Sequence, residues 1–171
     1  MKGFKLLTTI FFLISLCYLL GCQENNTNER SNMDWRVFES ERFQFSVNYP
    51  AEWPAFVQGE NSTETPDAGI MLDVDGDPNS RIFIFGQLGT LVIPYEPGSR
   101  SEPLDTKGGL KGDLLIHEGE DSVFLNYSIR ESDLKSFNGR FLGASVTISK
   151  EQYTHLEPII CEILRSIKLL H

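Results

Sequence analysis

Basic residues are scarce in this sequence, and their scarcity excludes a class of partners. The chain has 15 Lys and Arg residues against 24 Asp and Glu residues, which gives a net charge of −9. A protein that binds nucleic acid, or that holds anionic lipid headgroups by charge, presents a basic surface. We therefore expect no nucleic-acid partner and no membrane contact made through surface charge.

The sequence also lacks the local signatures of common catalytic and metal sites. Its three histidines are His117, His155 and His171. His117 precedes Glu-Gly-Glu-Asp, without the second histidine of a zinc-binding His-Glu-x-x-His helix. No Gly-x-Ser-x-Gly segment marks a nucleophilic serine, and the glycine-rich residues 107–112 lack phosphate-loop spacing. The sequence therefore assigns no catalytic residue, no metal ligand and no cofactor.

One acidic segment resembles part of a calcium site. Asp73, Asp75 and Asp77 alternate along the chain, and carboxylate oxygens are the ligands that Ca²⁺ prefers. The segment does not follow the EF-hand pattern, because Pro78 stands where that pattern needs Gly and Ile84 where it needs Glu. We expect an acidic turn between two strands, with weak Ca²⁺ binding as the alternative.

Long apolar runs are absent except near the N-terminus. Two lysines and no acidic residue precede an apolar run from Ile10 to Leu20 that one serine interrupts. The run has about 11 residues, whereas a membrane-spanning helix needs roughly 20. A short basic segment followed by such a run is typical of a secretory signal peptide. We expect residues 1–21 to be this signal.

The end of the apolar run resembles the lipobox of bacterial lipoproteins. Leu19, Leu20, Gly21 and Cys22 match its four positions, with a larger residue than usual at Leu20. The resemblance implies that the chain is cut after Gly21 and that the Cys22 thiol carries a diacylglyceryl group. Two acyl chains, such as palmitate, hold a protein stably on a membrane. The resemblance to the lipobox therefore implies a lipid anchor at Cys22 on the extracytoplasmic face of the cell membrane.

The exported chain divides into a tether and one domain. Residues 22–34 are polar and contain almost no core-forming side chains, which is typical of a flexible spacer. Such a spacer spans roughly 20 Å. Residues 35–171 are long enough for a single domain with a hydrophobic core.

Hydrophobic periodicity predicts a fold with several strands and a C-terminal helix. Ser149 and Gln152 form a capping-box pattern before apolar residues at helical spacing, and Pro158 predicts a restart near Glu157 or a kink. We expect an α+β fold, an antiparallel β-sheet with flanking helices. Period-two or continuous apolar patterns predict strands near residues 35–37, 43–49, 69–74, 81–88, 91–93, 110–117, 122–130 and 140–148.

Two segments resemble the PsbP-like family. Residues 45–53 read Phe-Ser-Val-Asn-Tyr-Pro-Ala-Glu-Trp and are similar to the F-S-V-x-Y-P-x-x-W opening of those domains. Residues 163–168, Ile-Leu-Arg-Ser-Ile-Lys, are similar to the usual end of the family. The resemblance implies a PsbP-like α/β sandwich over roughly residues 38–170. Because the family includes many small lipoproteins of Gram-positive bacteria, it also favours a Gram-positive envelope.

Two functions are consistent with these patterns. The first is a non-enzymatic binding or accessory module at the cell envelope, which presents an outer sheet face or residues 58–68 and 94–107 to an envelope protein or other partner. The alternative is an envelope hydrolase or metal-dependent enzyme, whose site combines scattered Asp and Glu with His117 and His155. The two differ in whether these groups converge in one concave pocket, as an active site requires.

Overall fold

The computed structural model describes residues 33–89, 96–130, 133–134 and 140–170. The predicted signal peptide, Cys22, the strand predicted at residues 91–93 and His171 lie outside the described residues. The described strands are β1 (Trp35–Ser40), β2 (Phe45–Pro50), β3 (Ala55–Gln58), β4 (Asp67–Asp73), β5 (Arg81–Leu88), β6 (Arg100–Pro103), β7 (Gly112–Glu118), β8 (Ser122–Ile129), β9 (Arg140–Ser149) and β10 (Lys168–Leu169).

The strands form two antiparallel sheets. One has three strands in the order β1-β2-β10, and the other has seven in the order β3-β4-β5-β9-β8-β7-β6. Alternate side chains of a strand point to opposite faces, so strands such as β8 bury every second residue. The core lies between the two sheets and includes Phe45, Ile84, Leu125 and Val146.

A single described α-helix, α1 (Lys150–Arg165), packs against β2, β8 and β9. The predicted helix cap is confirmed, because Ser149 Oγ accepts a hydrogen bond from the backbone N–H of Gln152 at 3.2 Å. The helix continues through Pro158, so the predicted restart near Glu157 is wrong. Cys161 on this helix is 2% exposed. No helix in the described part of the chain has the length and apolarity needed to cross a membrane.

The predicted α+β class with flanking helices is wrong. Half of the described residues lie in strands, whereas the described helical content is one 16-residue α-helix and two short 3₁₀ segments, at Val74–Gly76 and at residues 133–134. The fold is therefore mostly β. The short strands β3, β6 and β10 were not predicted, because they lie at sheet edges and do not alternate between buried and exposed residues.

Candidate binding cleft

The outer face of the seven-stranded sheet, which points away from the core, is partly aromatic. Phe83 and Phe85 alternate with buried Ile82 and Ile84 on β5. The rings of Phe83 and Phe85 stack with their centroids 4.8 Å apart, and Phe141 of β9 lies 5.9 Å from Phe85. Phe85 is only 6% exposed, so the apolar surface on this side of the sheet comes from the partly exposed rings of Phe83 and Phe141.

A cleft with a volume of about 340 Å³ lies on this outer face, beside the edge strand β6. Its lining combines two apolar side chains with four polar ones: Leu115, Phe124, Glu96, Ser99, His117 and Asn126. Four of these residues lie on the regular strands β7 and β8, and two precede β6. Regular strands fix such side chains more precisely than loops do.

Strand register brings the cleft residues of β7 and β8 together. His117 lies opposite Phe124, and Leu115 lies opposite Asn126. Their neighbours along each strand point into the core, so these four side chains point outward. An antiparallel pairing places opposite side chains about 5 Å apart. The cleft thus follows directly from the pairing of the two strands.

The cleft wall contains a polar contact and an exposed aromatic ring. The Oγ atom of Ser99 lies 3.4 Å from Nδ1 of His117. The His117 ring centroid is 6.3 Å from that of Phe124, which is 40% exposed. The cleft therefore offers an apolar surface together with hydroxyl, imidazole, amide and carboxylate groups.

Carboxylates surround Arg100 on the face of the sheet opposite to the cleft, since Arg100 pairs with the core residue Ile116. Its guanidinium donates to Glu102 at 3.0 Å and to Glu118 at 2.5 Å. Partial burial lowers the pKa of Arg100, but the hydrogen bonds to these two carboxylates outweigh burial and raise the pKa. Glu120 and Asp121 follow in the turn between β7 and β8. Arg100, Glu102 and Glu118 therefore do not face the cleft, and Glu96 is the acidic residue among those that line it.

The three alternating aspartates do not gather around one point. Asp73 accepts a hydrogen bond from Nε of Arg81 at 3.0 Å, and Asp77 accepts one from the backbone of Asn79 at 2.9 Å. The latter bond lowers the pKa of Asp77. Asp75 has a positive φ of 51° in the 3₁₀ turn. Within the described ranges, no group of three His, Cys, Asp or Glu side chains is placed to hold a metal ion.

The histidines named as parts of an enzymatic site lie apart. His117 points to the outer face of the seven-stranded sheet, whereas His155 is exposed on α1, which packs against the core side. The structure therefore does not bring them into one pocket. His117 also lies in β7, as the strand predicted at residues 110–117 requires.

Only part of the cleft was named by the sequence analysis. The segment 94–107 was a predicted binding region, and its residues Glu96 and Ser99 line the cleft. Phe124 lies in the strand predicted at residues 122–130, and its side chain is 40% exposed. The outward positions of β7 and β8, which alternate with core residues, are the signal that could have identified the site.

The predicted loop at residues 58–68 is held by an arginine. The guanidinium of Arg42 donates to the carbonyl oxygens of Gly59 at 2.8 Å, Thr65 at 2.6 Å and Asp67 at 3.2 Å. A planar guanidinium can satisfy several acceptors at once. These bonds tie the loop to the domain, on the side of the seven-stranded sheet opposite β6.

Comparison with known proteins gives a structural likeness. No family model matches the chain, and no curated protein matches it. The solution structure of cyanobacterial PsbP (CyanoP) from Synechocystis sp. PCC 6803 is similar, with a TM-score of 0.51 and 6% identity over 88% of this chain and 98% of that one. The Ran-binding protein Mog1p of Saccharomyces cerevisiae has a TM-score of 0.42 and 10% identity, over 81% of this chain and 96% of that one.

The likeness to CyanoP concerns the fold. It covers most of both chains, so the mostly β fold described above is PsbP-like. At 6% identity it carries no information about ligand or partner. The function of this protein must therefore be argued from its own residues.

Proposed function

We propose that this protein is a non-enzymatic binding module anchored by lipid to the extracytoplasmic face of the cell membrane. The observation that carries the binding function is the cleft, whose polar groups surround an apolar wall on two paired strands. Binding sites for small molecules typically combine an apolar concave surface with a few well-placed polar groups. A Gram-positive envelope and an envelope protein as a further partner belong to the same proposal.

The anchor rests on the sequence before the domain. Cys22 stands at the end of a signal-like segment, and strand β1 begins at Trp35. The residues between them are polar and long enough to separate the domain from the bilayer by roughly 20 Å. This arrangement supports a lipid at Cys22 with the cleft held away from the membrane.

The cleft geometry favours binding over hydrolysis. Ser99 and His117 are close enough to suggest a nucleophile and a base, but a triad also needs a group that orients the histidine. Among the described residues, no carboxylate hydrogen-bonds to His117. The proposed activity is therefore recognition of a ligand, without chemical change.

The anchor is tested by labelling cells with radioactive palmitate while they express the full chain. We expect the wild type to incorporate label and to sediment with membranes. The Cys22→Ala variant should lose both properties, because alanine cannot form the thioether. Cys17→Ala is the matched control, since it removes the other cysteine of the N-terminal region, and it should keep the label. Membrane association of an unlabelled wild type would contradict the proposal.

The binding function is tested by affinity capture from envelope extracts with and without Ca²⁺, using the full chain. We expect stoichiometric retention of a component and no loss of material from the extract. Turnover of an envelope substrate, abolished by His117→Ala, would instead support the enzymatic alternative. Ca²⁺-dependent capture that Asp75→Asn removes would assign a cation to the aspartate turn.

A further inference from the structure

We propose that the cleft binds a small organic cation, an ammonium or guanidinium group carried on an apolar stem. This inference rests on the proposed binding function and names its ligand class. It depends on three properties of the cleft: the charge around it, the exposed aromatic ring in its wall, and its size.

The charge around the cleft favours a cation over an anion. The Glu96 carboxylate lines the cleft and is exposed. Glu118, the next residue after His117 on β7, points to the other face and pairs with Arg100, so the negative charge at the cleft is that of Glu96. An exposed charge raises the local concentration of oppositely charged ligands. An anionic ligand would be repelled here, and the net charge of −9 of the whole chain acts in the same direction.

The side chains in the cleft suit both parts of such a ligand. The face of an aromatic ring attracts a cation, and Phe124 is 40% exposed at the cleft. Leu115 and Phe124 offer apolar contact to an aliphatic stem. Ammonium and guanidinium groups are hydrogen-bond donors without acceptors, and the oxygens of Glu96 and Asn126 are acceptors.

The size of the cleft limits the ligand to about the dimensions of one amino acid. Its volume is about 340 Å³, and a water molecule in the liquid takes up roughly 30 Å³. The cleft therefore has room for roughly ten non-hydrogen atoms. A lysine residue has about this size, whereas a nucleotide is larger.

Three probes with the same acetyl and methylamide ends test the charge preference. They are Nα-acetyl-lysine methylamide, its neutral Nε-acetylated form, and the anionic Nα-acetyl-glutamate methylamide. Each is titrated into the ¹⁵N-labelled full chain in a non-ionic detergent, and amide shifts of cleft residues are followed by NMR. We expect the cation to shift the amides of His117 and Phe124, with affinity about five-fold or more above that of the neutral form.

A fourth probe, 1,5-diaminopentane, distinguishes the source of the cation. If the lysine derivative binds more tightly, the natural ligand is a lysine side chain of a protein or peptide. If the diamine binds more tightly, the natural ligand is a free amine. Both outcomes support the cation class. In either case binding should weaken as salt is added, because salt screens exposed charges.

Two variants with matched controls locate the site. Glu96→Gln and Phe124→Ala should each weaken binding of the lysine derivative about two- to five-fold, as expected for one exposed charge pair or cation–π contact. Glu64→Gln makes the same charge change in the loop after β3, and Phe56→Ala removes a ring that is 50% exposed on β3. Both controls should bind as the wild type does.

The inference is overturned if the neutral or anionic probe binds as tightly as the cation, or if the control variants lose as much affinity as the cleft variants. If only the neutral probe shifts the amide signals of the cleft residues, the proposed binding function stands, but the proposal that the ligand is a cation is wrong. If no probe shifts the cleft amides, the cation class is wrong, and the binding function is then decided by the capture experiment.

Discussion

The ring of Phe43 lies directly against the backbone of Gly86. A Cβ atom at Gly86 would be 2.3 Å from Cγ and 2.4 Å from Cβ of Phe43. Phe43 is 1% exposed, and Gly86 lies within β5. The guanidinium groups of Arg42 and Arg140 flank the same ring, at 5.1 and 5.8 Å from its centroid. Glycine at this position therefore allows the turn before β2 to close onto the seven-stranded sheet.

Substitution of Gly86 by alanine should destabilise the fold. The added methyl group overlaps a buried ring that has little room to move, and overpacking of this kind reduces stability by about 1–3 kcal/mol. Urea denaturation followed by circular dichroism measures the change. Gly108→Ala is the matched control, since its Cβ would meet atoms at 3.6 and 3.7 Å, and it should change stability by less than about 0.5 kcal/mol. Equal stability of the two variants would contradict this packing.

Two buried tyrosines should make the fold sensitive to alkaline pH. Burial raises the pKa of Tyr127, whose hydroxyl donates to the carbonyl of Leu104 at 2.9 Å. Burial, followed by the charge of Glu157, raises the pKa of Tyr153. An unfolded tyrosine titrates near pH 10, so above that pH the unfolded state loses protons that the folded state keeps. Stability should therefore be unaffected by these groups below pH 9 and fall above pH 10.

The alkaline loss of stability is measured as the free energy of unfolding in urea between pH 8 and pH 11. Tyr127→Phe should reduce the slope above pH 10. It should also lower stability at pH 8 by about 1 kcal/mol, because it removes a buried hydrogen bond. An unchanged slope in a Tyr127→Phe, Tyr153→Phe double variant would show that other groups control alkaline unfolding.

Removal of the helix cap should weaken α1. Ser149→Ala loses the bond to the backbone of Gln152 and should lower stability by about 1 kcal/mol. Ser149→Asp should restore most of this loss, since aspartate also caps helices. Ser145→Ala is the control, because Ser145 is exposed on the same strand β9. If Ser149→Asp does not restore the stability that Ser149→Ala loses, the loss comes from strand pairing and not from the helix cap.

The central strands were predicted well from the sequence because the burial of apolar side chains determines their residue pattern. The pattern at residues 81–88 matches β5 residue for residue, and the predicted strand at 140–148 is one residue shorter than β9. These strands bury apolar side chains at every second position or continuously. The edge strand β3, by contrast, exposes Phe56 and Val57 on opposite faces, so its sequence shows no consistent burial pattern.

The cleft could not be predicted in full because it depends on contacts between distant segments. His117 and Phe124 face each other only when β7 and β8 pair in the observed register. Glu96 and Ser99 join them through the path of the chain into β6. Local motifs give residue types and spacing, whereas a site of this kind is set by strand register and sheet order.

The proposed lipid anchor can be observed directly by mass spectrometry of the N-terminal peptide of the mature protein. The account predicts a chain that begins at Cys22 and carries a diacylglyceryl thioether on its sulfur. A chain that retains residues 1–21, or a Cys22 recovered in a disulfide and free of lipid, would contradict the account.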